Sequence, residues 1–380
     1  MGPPLLSPEH DAEVHALWAA FARRGNDRVP ITFACDEQAW LKAAGETFGR
    51  FYADPRVHLS VQLRGRHWFA TNVIGDMRSA LPDAWPVVTQ LWMYENEFFG
   101  CEVVYQEDEY AWALPLRLGR ADLLRHIADL DPEERARCNS AFRMYEAIRE
   151  LADGLEYEGR PVTAVPPGGG THGLFTKAVE IRGAEQLCLD LYEAPAFVDE
   201  LMRLVTEKTI ARIRVFRRLT GQDHADQPSA TGFHFCDDSL DLISPQTYER
   251  FVLPWHEQLY SAFTTGPRAI HLCGHAAQHF DTLYHKLGVT TIDGPGPWVD
   301  HSHYLRDFGE GFSFQAQLDH TVLERGSPAQ IDAMMHDLLQ PGCRIPGRFQ
   351  VMGFVSKHTP LDNVRHCYEA GRTYGAITAT

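Results

Sequence analysis

Arg268-Ala-Ile-His-Leu-Cys-Gly-His275 is the stretch around which the chain is organised. Ala269, Ile270 and Leu272 make an apolar run that reads as a buried strand, and His271, Cys273 and His275 gather where it ends. Side chains on a strand alternate faces, so His271 and Cys273 point to the same side. A neutral imidazole and a thiolate side by side at a strand end form half of a zinc site.

Working outward, seven other runs read as strands. They span 29–35, ending at Asp36, and 98–105, running into Gln106-Glu-Asp-Glu109. The third, 161–165, ends in the loop 166–170, and the fourth, 231–236, finishes at Asp237-Asp238. The stretch 268–275 is the fifth, followed by 288–293, 312–317 and 348–352. Helical sequence separates them. Residues 7–25 carry a possible cap at Ser7 and the stripe Val14, Leu17, Trp18 and Phe21, with Gly25 closing the helix. Ser244-Pro245 has the form of a helix start, and a last helix runs from near Thr359 to about Tyr374.

Strands alternating with helices predict a parallel sheet with crossover helices. Eight of them predict an α/β fold of the (β/α)8 TIM-barrel type. Residues 1–28 are expected to form an N-terminal helical extension and 29–380 a single barrel domain. A doubly wound sheet is the alternative, but no strand runs into a GxGxxG turn. Barrel chemistry sits at the C-terminal ends of the strands. Polar residues collect there: Asp36, Glu107, Asp108, Asp237, Asp238, His271, His275, Asp293, Gln315 and Gln317.

Composition narrows the class further. The 380 residues are 44% hydrophobic and 23% charged, with 35 Lys and Arg against 51 Asp and Glu, a formal charge of −16. That balance argues against nucleic acid and anionic membrane surfaces as partners. No charge-free apolar run approaches the roughly 18 residues of a membrane span, and the start shows no signal-peptide pattern. Eight scattered cysteines fit reduced thiols, so a cytoplasmic location is expected.

Three segments in order are similar to the uroporphyrinogen decarboxylase-like superfamily. They are Asp237-Asp-Ser-Leu-Asp-Leu-Ile-Ser-Pro-Gln-Thr-Tyr-Glu-Arg-Phe-Val-Leu-Pro254, His271-Leu-Cys-Gly274, and His358-Thr-Pro-Leu-Asp-Asn-Val364 with Arg372-Thr-Tyr-Gly375. Gly173-Leu-Phe-Thr and Asp190-Leu-Tyr-Glu-Ala-Pro195 are weaker echoes. The resemblance covers roughly 50–376 and implies a TIM barrel. It also implies one of two chemistries: cofactor-free decarboxylation of a porphyrinogen, or zinc-dependent methyl transfer to a thiol from a methylcobamide. No corrinoid-binding Asp-x-His-x-x-Gly is present, so any corrinoid would arrive on a partner protein. A homodimer is a further implication.

Charge separates the two. A polycarboxylate substrate needs cationic forks. The resemblance places an Arg-rich segment at the barrel mouth of true decarboxylases; here Ile31-Thr-Phe-Ala-Cys-Asp-Glu-Gln38 has no Arg and two acids. The reading is therefore a zinc-dependent methyl or alkyl transferase acting on a small thiol. The alternative is a cofactor-independent decarboxylase or lyase of a non-porphyrin carboxylic acid.

His271 and Cys273 are the expected metal ligands. The family's third ligand, a cysteine in the turn before the last helix, is replaced by Met352-Gly-Phe-Val355. Cys343 is the nominated substitute, with Cys236 and His275 as others. Asp237 and Asp238 could bind substrate, carry protons or complete the metal site; alternation puts one of the two inward. Glu107, Asp108, His275, Gln315 and Gln317 are candidate substrate contacts. Gly168-Gly-Gly170 lacks the Lys-Ser/Thr of a phosphate loop and reads as a strand-end loop.

Overall fold

A computed structural model of the chain describes residues 7–77, 81–89, 91, 93–168, 170–222 and 226–377. Among the described residues, eight strands pair in parallel. They are β1 Ile31–Cys35, β2 Trp85–Val88, β3 Arg160–Val165, β4 Phe233–Cys236, β5 Arg268–His271, β6 Val289–Asp293, β7 Ser313–Gln317 and β8 Phe349–Val355. Helices separate most of them. The chain divides into two compact units, one of 1–46, 60–83 and 290–380, the other of 47–59 and 84–289.

In the first unit β1 pairs with β8, β8 with β7, and β7 with β6. Alternation along β8 is complete: Phe349, Val351, Gly353 and Val355 are buried and the residues between them half-buried. The helices Pro328–Leu338 and Leu361–Tyr374 pack together here, and Gly371 lets the last one approach β1, since a Cβ there would meet Ile31 Cγ1 at 2.6 Å. The N-terminal helix Pro8–Ala22 is capped by Ser7, whose hydroxyl accepts from the His10 N–H.

In the second unit β2 pairs with β3 and β4 with β5, with Cys236 level with His271. The long helix Pro195–Leu219 buries Phe197, Leu201, Leu204, Ile210, Ile213 and Phe216. Ser244 caps the helix Pro245–Phe251 through the Thr247 N–H.

The second expected strand is misplaced. Residues 98–105 do not form a parallel strand: Phe98 closes the helix Tyr94–Phe98, and Glu102–Val104 pairs antiparallel with Trp112–Leu114. The parallel strand in that part of the chain is Trp85–Val88. Between the hairpin and β3 the chain forms the helices Arg120–Ala128, Pro132–Arg137 and Ser140–Ala152, and the loop 166–170 includes Gly169, which lies outside the described residues.

Candidate functional site

The site builds on the level ends of β4 and β5. Leu272 is buried while His271 and Cys273 are half-buried, so the alternation of β5 carries past its last paired residue. Gly274 then turns the chain at φ +80°, a conformation that favours glycine. On the neighbouring strand the chain leaves Cys236 into Asp237 and Asp238, and the two acids part company.

Asp238 turns towards β5. Its Oδ1 accepts the Cys273 N–H at 3.0 Å and lies 3.7 Å from His271 Nε2. One ligand atom each from Asp238, His271 and Cys273 lie within 4.8 Å of one another, the one such group found among the described residues. A donor set of one nitrogen, one sulfur and one oxygen suits zinc with a position left open. Donors around a tetrahedral zinc sit about 3.3–3.8 Å apart, so closing the group needs movements of about an ångström. The three side chains are half-buried, which leaves room for that adjustment.

Asp237 turns inward and is fully buried. Its carboxylate accepts from Phe175 N at 3.2 Å, Thr176 N at 2.7 Å, Thr176 Oγ1 at 2.8 Å and His256 Nε2 at 2.8 Å. It thereby satisfies orphan amides at the start of the helix Leu174–Arg182. Gly173 makes this possible, because a Cβ there would overlap the Asp237 carboxylate. Behind it, His256 Nδ1 meets the Tyr248 hydroxyl at 3.1 Å. Burial raises Tyr248 well above the usual tyrosine range, with nearby Tyr260 and Asp237 acting in the same sense.

The remaining nominated residues lie on other segments. His275 is exposed beyond Gly274. Glu107 and Asp108 are exposed in the loop of the antiparallel hairpin, not at the end of a parallel strand. Gln315 and Gln317 share one half-buried face of β7, and Gln315 Nε2 lies 3.2 Å from Met352 Sδ. Cys343 is outside the Asp238 group; it is buried in the turn Pro341–Cys343, and burial pushes its thiol up to about 12.

Sequence reasoning missed a second polar centre in this unit. Glu95, Lys177 and Arg212 are all buried; Glu95 lies 3.1 Å from Arg212 Nη2 and 3.4 Å from Lys177 Nζ. Arg212 also donates to the Tyr94 hydroxyl and Thr171 Oγ1, both at 2.8 Å, and Lys177 to Asn96 Oδ1 at 2.7 Å. Burial alone would raise Glu95, but the two cations outweigh it and hold the carboxyl near 2.

Residues 14–374 match the uroporphyrinogen decarboxylase (URO-D) family. The chain belongs to that family. Its fold is accordingly the α/β TIM-barrel class that the strand count predicts, and URO-D proteins are enzymes. A uroporphyrinogen decarboxylase of Syntrophotalea carbinolica is 28% identical over 225 residues, 57% of this chain and 61% of that protein, so the match spans about three-fifths of the relative's length. A methyltransferase from Methanosarcina mazei superposes with a TM-score of 0.58 at 15% identity, covering 99% of this chain and 100% of that one. That likeness is one of fold within the URO-D class. Among the described residues no helix is long and apolar enough to cross a membrane.

Proposed function

We propose that the chain is a zinc-dependent methyl or alkyl transferase that activates a small thiol, with Asp238, His271 and Cys273 as the ligands. The observation that carries the reading is the convergence of these three donors at the level ends of β4 and β5. Asp238 stands in for the expected third cysteine. What zinc supplies there, when bound, is stabilisation of a substrate thiolate at neutral pH and an open position for its sulfur.

The chain's own residues set up the rest. Cys273 offers its sulfur, and its backbone N–H holds the Asp238 carboxylate in place. The accessible side of Asp238 is the local acceptor for the thiol proton, since Asp237 is saturated by four donors. The sulfur then takes the alkyl group, and the electron pair of the broken bond stays with the donor, which we place on a corrinoid-bearing partner protein. All eight cysteines are unbridged thiols, which supports the reducing, cytoplasmic setting proposed here. A homodimer is proposed from the family resemblance.

Metal analysis of protein purified without added zinc tests the reading. About one equivalent, lost in His271→Ala, is expected; less than about a tenth of an equivalent, unchanged by that substitution, overturns it. The second reading, a cofactor-free decarboxylase of a non-porphyrin acid, is favoured by the name of the 28% identical relative. It predicts full activity after chelation, and zinc-restored activity excludes it.

A further inference from the structure

Two polar groups beneath the Asp238 site are spent on neither substrate nor solvent. Tyr248 and His256 are both fully buried, on the successive helices Pro245–Phe251 and Leu253–Phe263. An ionised carboxylate only accepts hydrogen bonds, so the 2.8 Å contact to Asp237 Oδ2 requires the proton on His256 Nε2. The other ring nitrogen, Nδ1, meets the Tyr248 hydroxyl at 3.1 Å, so both nitrogens of the buried ring are held. The tyrosine thus fixes the ring, and the ring supplies one of the four donors that orient Asp237.

Asp237 is tied in turn to both halves of the ligand group. Its N–H donates to the His271 carbonyl at 3.1 Å, and the next residue is Asp238. Asp238 closes the loop by accepting the Cys273 N–H at 3.0 Å. A chain of directed bonds therefore runs from Tyr248 through His256 and Asp237 into the backbone that carries Asp238, His271 and Cys273. Packing accounts for burying a tyrosine and a histidine, but an apolar pair would serve packing without the cost of two buried polar groups. The ends of this chain fall on the backbone of the donor set.

We infer that His256, with Tyr248 behind it, is a positioning residue for the metal group. It holds Asp237 in the one orientation that keeps the donors of Asp238, His271 and Cys273 convergent. The inference rests on the zinc reading and assigns to that site a support that lies outside its ligands. Groups behind a ligand set typically change metal affinity 10–100-fold when removed.

The test uses the full chain with zinc removed, then titrated with zinc against a chromophoric chelator and with cobalt(II) read by its visible absorption. Tyr248→Phe deletes one hydroxyl and leaves the buried His256 Nδ1 without its partner, so the metal-free protein should melt somewhat earlier but still fold. Zinc affinity should fall about tenfold and the cobalt bands should shift and weaken. His256→Leu should fall further, and His256→Gln, whose amide still donates to Asp237, should recover part of the loss. If the folded Tyr248→Phe protein binds zinc and shows the cobalt spectrum of the unsubstituted chain, the inference is overturned. The same holds if the variants melt earlier but bind metal equally well while folded, since that is a purely structural role. Failure of the unsubstituted chain to bind either ion defeats the zinc reading itself, and is told apart by that control.

Discussion

Two consecutive aspartates do opposite jobs, and the division follows from what each carboxylate touches. Asp237 is fully buried with four donors on it. Removing it strands those donors away from water, at about 1–3 kcal/mol for each one left without a partner. Asp237→Ala is therefore expected to lower unfolding free energy by at least about 3 kcal/mol, read as a drop in the urea midpoint. Asp238 is half-exposed and accepts one backbone bond. Asp238→Ala should change stability by less than about 1 kcal/mol while abolishing metal uptake. Equal stability losses in the two variants would refute the division. The sequence shows only that alternation turns one of the pair inward; it does not show that the inward one is sealed. His271 and Cys273 were legible because a two-residue spacing at a strand end has one geometrical meaning. Tyr248 and His256 were not, because they lie on separate helices and no period relates them.

At the scale of elements, β1 and β3 to β8 are legible because each is a compact apolar run between turn and helix signals. β2 is different. Trp85-Pro-Val-Val88 is four residues long with a proline inside, which lowers any strand assignment. The aromatic and β-branched run 98–105 outcompetes it on propensity, yet Phe98 and Phe99 are buried at the end of a helix and Val104 pairs in a hairpin. That error hides Glu95, which follows β2 and joins the helix Tyr94–Phe98 to Leu174–Arg182 and Pro195–Leu219 through Lys177 and Arg212. Burying an ion network adds little stability by itself, but removing one partner leaves uncompensated charge. Glu95→Gln should cost about 3–5 kcal/mol, measured by denaturant unfolding. A loss below about 1 kcal/mol would mean that water reaches Arg212 and Lys177.

Across the whole molecule the response to acid follows from histidines that burial keeps neutral. Burial lowers His58 to about 4, outweighing carbonyls of Val88 and Phe51 that favour its charged form. Burial likewise lowers His301 to about 4, with its Nε2 unpartnered and its ring against Phe314 and Phe349. Their ordinary value is 6.5, so below that pH the unfolded chain binds protons that the folded chain refuses. Stability is full above pH 6.5 and falls as pH drops towards 4, by about 2 kcal/mol per histidine at pH 5. Glu95 adds a second loss at lower pH, between its ordinary 4.5 and its folded value near 2. Protonating the exposed histidines works the other way, since it reduces the repulsion within a chain of formal charge −16. That diffuse term is screened by salt, whereas the two buried rings are not. Burial lowers His279 in the same sense, so urea unfolding in 0.15 M salt should show stability declining from pH 7 to 5, and His301→Phe, which removes one of these buried rings, should make the decline shallower by about 2 kcal/mol at pH 5. A profile level or rising over that range would show that neither imidazole is held neutral by the fold.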